Sequence, residues 1–215
     1  MVEEVDLEFS NKNDADIFLA GVKEKYGVVI AGLDEVGRGP LAASVVVGCV
    51  ILPPDHKVVG IKDSKKLTPK KRESISEEIM EVATWGIGVC EAEEIDELNI
   101  HRAIRKAAQQ AMAECVSKLV PDFILADGGL DLRAMSLVPT TSIIKGDQWF
   151  ECIGAASILA KVYRDQQMAI YHEMWPEYNF KSNQGYGTKE HLEAIRKHGL
   201  SPIHRKSFGI CRGYA

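Results

Sequence analysis

Asp34-Glu35-Val36-Gly37-Arg38-Gly39-Pro40 is the stretch of this chain best equipped for chemistry. Two adjacent carboxylates end an apolar run, and a Gly-Arg-Gly turn follows at once. Carboxylate oxygens suit hard cations. Glycines that tolerate positive φ let backbone N–H groups close on an anion, and a guanidinium forks onto a phosphate or a sugar. The combination points to metal beside phosphate. A lone Asp-Glu pair is ordinarily a solvated strand flank, so the weight rests on the whole string. Two more extended segments also run into aspartate: Phe123 to Ala126 before Asp127-Gly128-Gly129, and Thr140 to Ile144 before Lys145-Gly146-Asp147. Strand ends are where sites collect in an open α/β sheet. Four carboxylates gathered there repel one another unless cations intervene. Oxygen ligands without neighbouring Cys or His pairs favour Mg²⁺ or Mn²⁺ over zinc. Two such ions would serve an in-line phosphoryl displacement, so phosphodiester hydrolysis is the expected chemistry. Adjacent strand residues point to opposite faces. Asp34 and Glu35 therefore share a site only if the pleat ends between them, which the Gly37 turn makes plausible.

The elements that must position these residues follow from periodicity and punctuation. Val28 to Leu33 reads as a buried strand ending at Asp34, and Ala42 to Leu52 as a second strand closed by Pro53-Pro54. The connection is short, so the two should pair antiparallel. A helix is expected from Asp14 to Lys25, and another from Lys70 to Val82 with Thr68 as N-cap and Pro69 in its first turn. A third strand is expected near Thr84 to Glu91. Asn99 to Leu119 carries Ile104, Ala108, Met112, Cys115 and Leu119 at helical spacing. Ile153 to Tyr171 is a helix rich in small residues, able to pack closely on a sheet, and Lys189 to Lys197 is a last helix. The expectation is an α/β chain with a mixed sheet flanked by helices. Residues 1–27 would form an N-terminal helical segment, 28–175 the core, and 176–215 a small, basic, helical C-terminal region.

The 215 residues, 46% hydrophobic and 27% charged, suit a soluble globular protein able to bury a core. No run approaches the length of a membrane span. The acidic opening Met1-Val2-Glu3-Glu4 lacks the order of a signal peptide, so a cytoplasmic location and no membrane partner are expected. Five separated cysteines form no C-x-x-C pair, which indicates neither a disulfide framework nor a zinc site. The net charge of −5 opposes nucleic-acid binding at first sight. Its distribution does not: Lys57 to Arg72 holds seven bases against one acid, and Lys181 to Ala215 seven against two. Two such blocks permit a polyanionic substrate, although charge runs are usually solvated faces. Walker, dinucleotide-binding and G-x-S-x-G patterns do not occur.

Taken in order, Ala31-Gly32-Leu33-Asp34-Glu35-Val36-Gly37-Arg38-Gly39-Pro40, Asp63-Ser64-Lys65-Lys66-Leu67, Lys145-Gly146-Asp147, Ala155 through Asp165, Gly185-Tyr186-Gly187-Thr188 and Ser207-Phe208 resemble the type 2 ribonuclease H family, in its bacterial ribonuclease HII form. The blocks span about residues 30 to 208. The resemblance implies a ribonuclease H-like fold with a five-stranded mixed sheet. It also implies endonucleolytic cleavage of RNA in RNA/DNA hybrids and at single ribonucleotides in duplex DNA, leaving 5′-phosphate and 3′-hydroxyl ends. It assigns Asp34, Glu35, Asp127 and Asp147 as metal-binding carboxylates for Mg²⁺ or Mn²⁺. Asp127 departs from the family pattern in standing before Gly-Gly, where relatives often have Gly-Asn. Gly37, Arg38 and Gly39 would read the ribose 2′-hydroxyl, the group that distinguishes RNA from DNA, and Tyr186 would stack beside the junction. Lys65 and Lys66 are expected to contact phosphate. Ser157, Lys161 and Arg164 share a helical face by their spacing and are expected to position phosphate or the carboxylates. In the implied mechanism a metal-held water attacks the phosphate 5′ of the ribonucleotide and a second ion stabilises the departing 3′-oxygen. Another metal-dependent nuclease of the same fold, such as a junction resolvase, stands as the alternative enzyme, and a non-catalytic hybrid-binding module as the alternative class. A monomer is expected.

Overall fold

The computed structural model describes residues 6–61, 67–130 and 137–214. Lys65 and Lys66, the expected phosphate contacts, lie outside the described residues. In chain order the elements are α1 (Lys12–Tyr26), β1 (Ile30–Val36), β2 (Val45–Ile51), α2 (Pro69–Val82), β3 (Thr84–Cys90), α3 (Ala92–Leu98), α4 (Ile100–Lys118), β4 (Phe123–Asp127), β5 (Thr140–Ile143), α5 (Gly146–Trp149), α6 (Glu151–Met174), α7 (Phe180–Asn183) and α8 (Lys189–His198). Among these residues the strands form one sheet in the order β3-β2-β1-β4-β5. β1 and β2 pair antiparallel across a short connection, β3 pairs antiparallel with β2 after α2, and β4 and β5 run parallel to β1. This is the mixed, helix-flanked sheet that the early short turn and the later helical crossovers require.

The sheet is covered on both faces. Ala31, Leu33, Val47 and Cys49 pack against Ala107, Ala108, Ala111 and Cys115 of α4. On the other face Val50 meets Ala155, Ile158 and Leu159 of α6, with Ile75 and Ile79 of α2 beside them. Half of α2 is charged, so its attachment depends largely on those two isoleucines, each fully buried and each contributing roughly 2 kcal/mol. Thr68 caps it as expected, accepting from the Lys71 N–H at 3.3 Å. Close approach of α6 depends on Gly32: a Cβ there would stand 2.1 Å from the carbonyl carbon of Cys152. Phe9, Phe18 and Phe150 close the β5 side in edge and tilted contacts, with Ala15 and Val22 of α1 buried in the same cluster.

Three expectations need correction. The second strand starts at Val45 rather than Ala42, because Ala43 adopts φ 69° and Ala42 bridges to His204 in the C-terminal region. The helix expected from Asn99 is preceded by a separate one, α3, opened by the Glu91–Glu94 capping box and divided from α4 at Asn99, whose φ of 69° breaks the helical path. Leu119, assigned to the buried stripe, is the exposed C-cap of α4. No described helix is long and apolar enough to cross a membrane.

The C-terminal region builds a core of its own, in which Tyr178, Phe180, Ala194 and Ile195 join Met168 of α6 and Ala42. At its centre lie His191 and His204, almost wholly excluded from solvent. The Ser201 N–H donates to His204 Nδ1 at 2.9 Å, which leaves the His204 proton on Nε2, 3.0 Å from His191 Nε2. His191 Nδ1 then faces the Tyr186 carbonyl at 2.8 Å. The chain of bonds closes only if both rings are neutral. Burial first, and then repulsion from His191, pushes His204 down to about 4. A depressed folded value means that the unfolded chain binds more protons between pH 4 and 6.5, so this stabilisation is complete above about 6.5 and is lost as pH falls toward 4. Unfolding free energy is expected to drop by about 2 kcal/mol between pH 6.5 and 5 from this residue. Urea titrations of wild type and His204→Gln check it: the variant should show a flatter pH dependence, and parallel curves would contradict the assignment.

Candidate active site

The parallel pairing of β1 with β4 stops at Leu33 opposite Ala126, whereas its antiparallel pairing with β2 continues through Asp34, Glu35 and Val36. The strand therefore does not leave the sheet at Asp34, as the sequence suggested; its neighbour β4 ends instead. The pleat runs on between the two acids. Asp34 follows Gly32 onto the α6 face, where the Ser157 hydroxyl hydrogen-bonds its carboxylate. Glu35 follows Leu33 onto the α4 face, where Arg38 Nη1 lies 3.4 Å from its Oε1. Asp127, the last residue of β4, raises the proton affinity of both, so its charge is felt on each side. Its Oδ1 accepts the Gly146 N–H at 2.6 Å. That bond ties the β4 end to α5, which carries the buried Asp147.

Burial, with the charge of Asp127 next in size, lifts Asp34 well above the usual carboxylate range; the Ser157 hydroxyl opposes the rise, and Glu35 and Asp147 add to it. Burial likewise lifts Glu35 to about 7, against the pull of Arg38. Glu35 Oε2 is buried and meets no hydrogen-bond partner among the described residues. All-oxygen donors, mutual repulsion and an unsatisfied carboxylate oxygen fit a divalent cation. Yet no three His, Cys, Asp or Glu among the described residues are drawn close enough to hold one ion by themselves. A Mg²⁺ ion ordinarily keeps several waters and takes only one or two carboxylates, with substrate phosphates completing its shell.

The remaining expected residues divide. Gly37, at φ 92°, starts the turn, and a Cβ there would stand 2.6 Å from Arg164 Nε, so glycine is required twice over. Arg38 is half-exposed between Glu35 and His101, whose Nδ1 is 3.4 Å from its Nη2. Tyr186 is exposed, and its ring edge lies 3.5 Å from where a Gly39 Cβ would be. The turn and the aromatic are thus neighbours. Lys161 is engaged with Asp165, which also pairs with Arg72 at 3.6 Å. Arg164 does not face substrate: it is fully buried, with its guanidinium committed to backbone carbonyls. Its place on the Ser157 face was legible, but not that the helix turns this far inward at its third member.

Two residues escaped the sequence reading. His101 opens α4 and, with Ile104, Arg105, Gly129 and Leu130, lines a shallow cleft beside Arg38. Arg205 is fully buried beneath the Gly37 turn. Sequence counted it in a basic block, and only its neighbour Phe208, on whose ring it stacks at 5.0 Å, hints at an interior position.

Residues 31–211 match the family model described as Ribonuclease HII. Among curated proteins, ribonuclease HII of Thermotoga maritima is 49% identical over 187 residues, covering 86% of this chain and 75% of that protein. That of Idiomarina loihiensis is 49% identical over 182 residues, covering 84% and 95%. Among solved structures, the ribonuclease HII in a PCNA complex from Archaeoglobus fulgidus superposes with a TM-score of 0.72 at 23% identity, over 85% of this chain and 96% of that one. A Bst-RNase HIII solved with Mn²⁺ gives 0.69 at 17% identity, over 89% and 70%. At those identities the structures speak for the fold.

Because the acids destabilise one another, Asp34→Asn should make the metal-free protein more stable by about 0.5–2 kcal/mol, a melting shift of roughly 2–4 °C per kcal/mol. Mg²⁺ should raise the wild-type melting temperature and leave the variant nearly unmoved. Calorimetric melts with and without the ion check both, and a less stable variant would contradict the repulsion.

Proposed function

Because the chain belongs to the ribonuclease HII family, it is a metal-dependent ribonuclease H acting on RNA/DNA hybrids, and we propose that it also cuts duplex DNA 5′ of single embedded ribonucleotides, contributing to their removal. The observation that carries this reading is the juxtaposition at one end of the sheet: mutually interacting acids, the Gly37–Gly39 turn, and an exposed Tyr186 against Gly39.

In this reading Asp34, Glu35, Asp127 and Asp147 hold two ions, Mg²⁺ or Mn²⁺. Bound there, the ions supply Lewis-acid activation of water and phosphate. The protein's own groups keep the acids in place: Ser157 steadies Asp34, the Gly146 N–H steadies Asp127, and Arg38 draws Glu35 toward the turn. Backbone groups of Gly37, Arg38 and Gly39 hydrogen-bond the ribose 2′-hydroxyl, and a nucleotide lacking it leaves those groups unpaired. Tyr186 stacks on the neighbouring sugar or base, a contact worth about 1–3 kcal/mol. Lys65, Lys66 and Lys161 supply positive charge along the backbone path, and the basic 176–215 region extends it. Arg164 acts from the interior rather than by touching phosphate.

A duplex DNA bearing one ribonucleotide, incubated with Mg²⁺ or Mn²⁺, should be cut on the 5′ side of that residue to leave 3′-hydroxyl and 5′-phosphate ends. An all-DNA duplex should stay intact, and Asp34→Asn should lower the rate by at least about 10²-fold. Sequencing-gel mapping of the ends decides: 2′,3′-cyclic phosphate products would sink the metal-water route, and binding without cutting under either ion would sink the activity.

A further inference from the structure

Arg164 and Arg205 are the two largest fully buried side chains, and among the described residues neither forms an ion pair with a carboxylate. Their donors go to carbonyls. Arg205 Nη2 donates to Gly37 O at 2.6 Å and Ser44 O at 3.1 Å, Nη1 to Arg38 O at 3.1 Å, and Nε to Ala43 O at 2.9 Å. Arg164 Nε donates to Ser44 O at 3.2 Å, Nη2 to Ala42 O at 3.2 Å, and Nη1 to Gln184 O at 3.0 Å. Seven bonds fall on two segments, 37–44 and the residue just before Gly185-Tyr186.

Stability is a poor explanation for this arrangement. Two like charges converge on one carbonyl, Ser44 O, and burial presses both guanidiniums below their ordinary range. Apolar side chains of similar size would commonly serve a core as well or better. What a guanidinium adds is a rigid fork of donors. A trans peptide points its C=O and the next N–H in opposite directions. With the Gly37 and Arg38 carbonyls turned onto Arg205, the N–H groups of Arg38 and Gly39 are aimed away from it. Among the described residues neither N–H donates a hydrogen bond. Arg164 performs the complementary task, joining Gln184 to the Ala42–Ser44 backbone, and the Leu41 N–H bond to Gly185 O at 2.8 Å closes the same seam.

We propose that Arg164 and Arg205 are positioning residues that aim the amides of the Gly37–Gly39 turn and set its distance from Tyr186, and so determine how strictly the site requires a ribose 2′-hydroxyl. This rests on the reading of that turn as the ribose contact. Neither arginine touches substrate.

The test compares single-turnover cleavage of a duplex carrying one ribonucleotide with the same duplex carrying a 2′-deoxy-2′-fluoro nucleotide there. Their rate ratio cancels any loss of folded protein. Arg205→Lys and Arg164→Lys, which keep the charge and lose the fork, should each reduce the ratio by about tenfold or more, since misplacements near 1 Å cost up to 10²-fold. Phe180→Leu, in the core beneath the same region, should lower both rates together and leave the ratio alone. A wild-type ratio in both lysine variants would overturn the inference; should one variant fail to fold, the other decides. No preference for ribose in the wild type would remove the ribose reading itself, a different failure visible before any variant is made.

Discussion

Burying Asp34 within the fields of Glu35, Asp127 and Asp147 is the constraint around which this chain is organised. Like charges taken out of water oppose folding, so everything around them must hold them in spite of that opposition. The backbone does most of this work. β1 keeps its antiparallel partner for three residues, Asp34 to Val36, beyond its last pairing with β4, which fixes both acids of the Asp-Glu pair in a pleat. Gly32 lets α6 lie directly on β1, bringing Ser157 within hydrogen-bonding reach of Asp34. One short bond from Gly146 N–H to Asp127 joins the β4 end to the helix that carries Asp147.

That pleat gives the site two sides. Asp34 looks toward α6, and Glu35 looks toward α4, Arg38 and His101. A divided set of acids is weak as a cage for a single ion and well suited to ions that retain water and wait for phosphate. The Gly37–Gly39 turn begins on the Glu35 side and passes over Arg205, so the Asp-Glu pair and the turn share one continuous stretch of backbone. Both buried arginines donate to the carbonyls of the 37–44 segment that follows those acids.

Much of this was legible in the sequence. The Asp-Glu pair, the Gly-Arg-Gly turn and the aspartates that follow later extended segments stood out as candidates, because carboxylates and glycines close in sequence are local signals; that Asp147 sits on α5 rather than at a strand end was not visible. Thr68-Pro69 announced a helix start for the same reason. What stayed hidden depends on contacts between distant parts of the chain. Nothing near Arg164 or Arg205 says that they are interior: an arginine without a carboxylate partner reads as a surface residue until the carbonyls of 37–44 are folded around it. His101 is separated from Arg38 by 63 positions and is invisible to any window. The continuation of β1 past Asp34 escaped because it depends on β2 being longer than β4, a comparison that hydrophobic runs of similar length do not settle. Ala43 misled for a related reason, since an apolar residue in an apolar run gives no sign of its positive φ.

The most direct test of the account is a Mn²⁺ titration of the free protein and of its complex with an RNA/DNA hybrid made resistant to cutting by phosphorothioate linkages, following unbound ion by electron paramagnetic resonance. If the acids complete an ion's shell only with substrate phosphate, the free protein should bind Mn²⁺ weakly and the complex should bind it markedly tighter, with a second ion per chain. Two tightly held ions on the free protein, or identical binding with and without the hybrid, would contradict it.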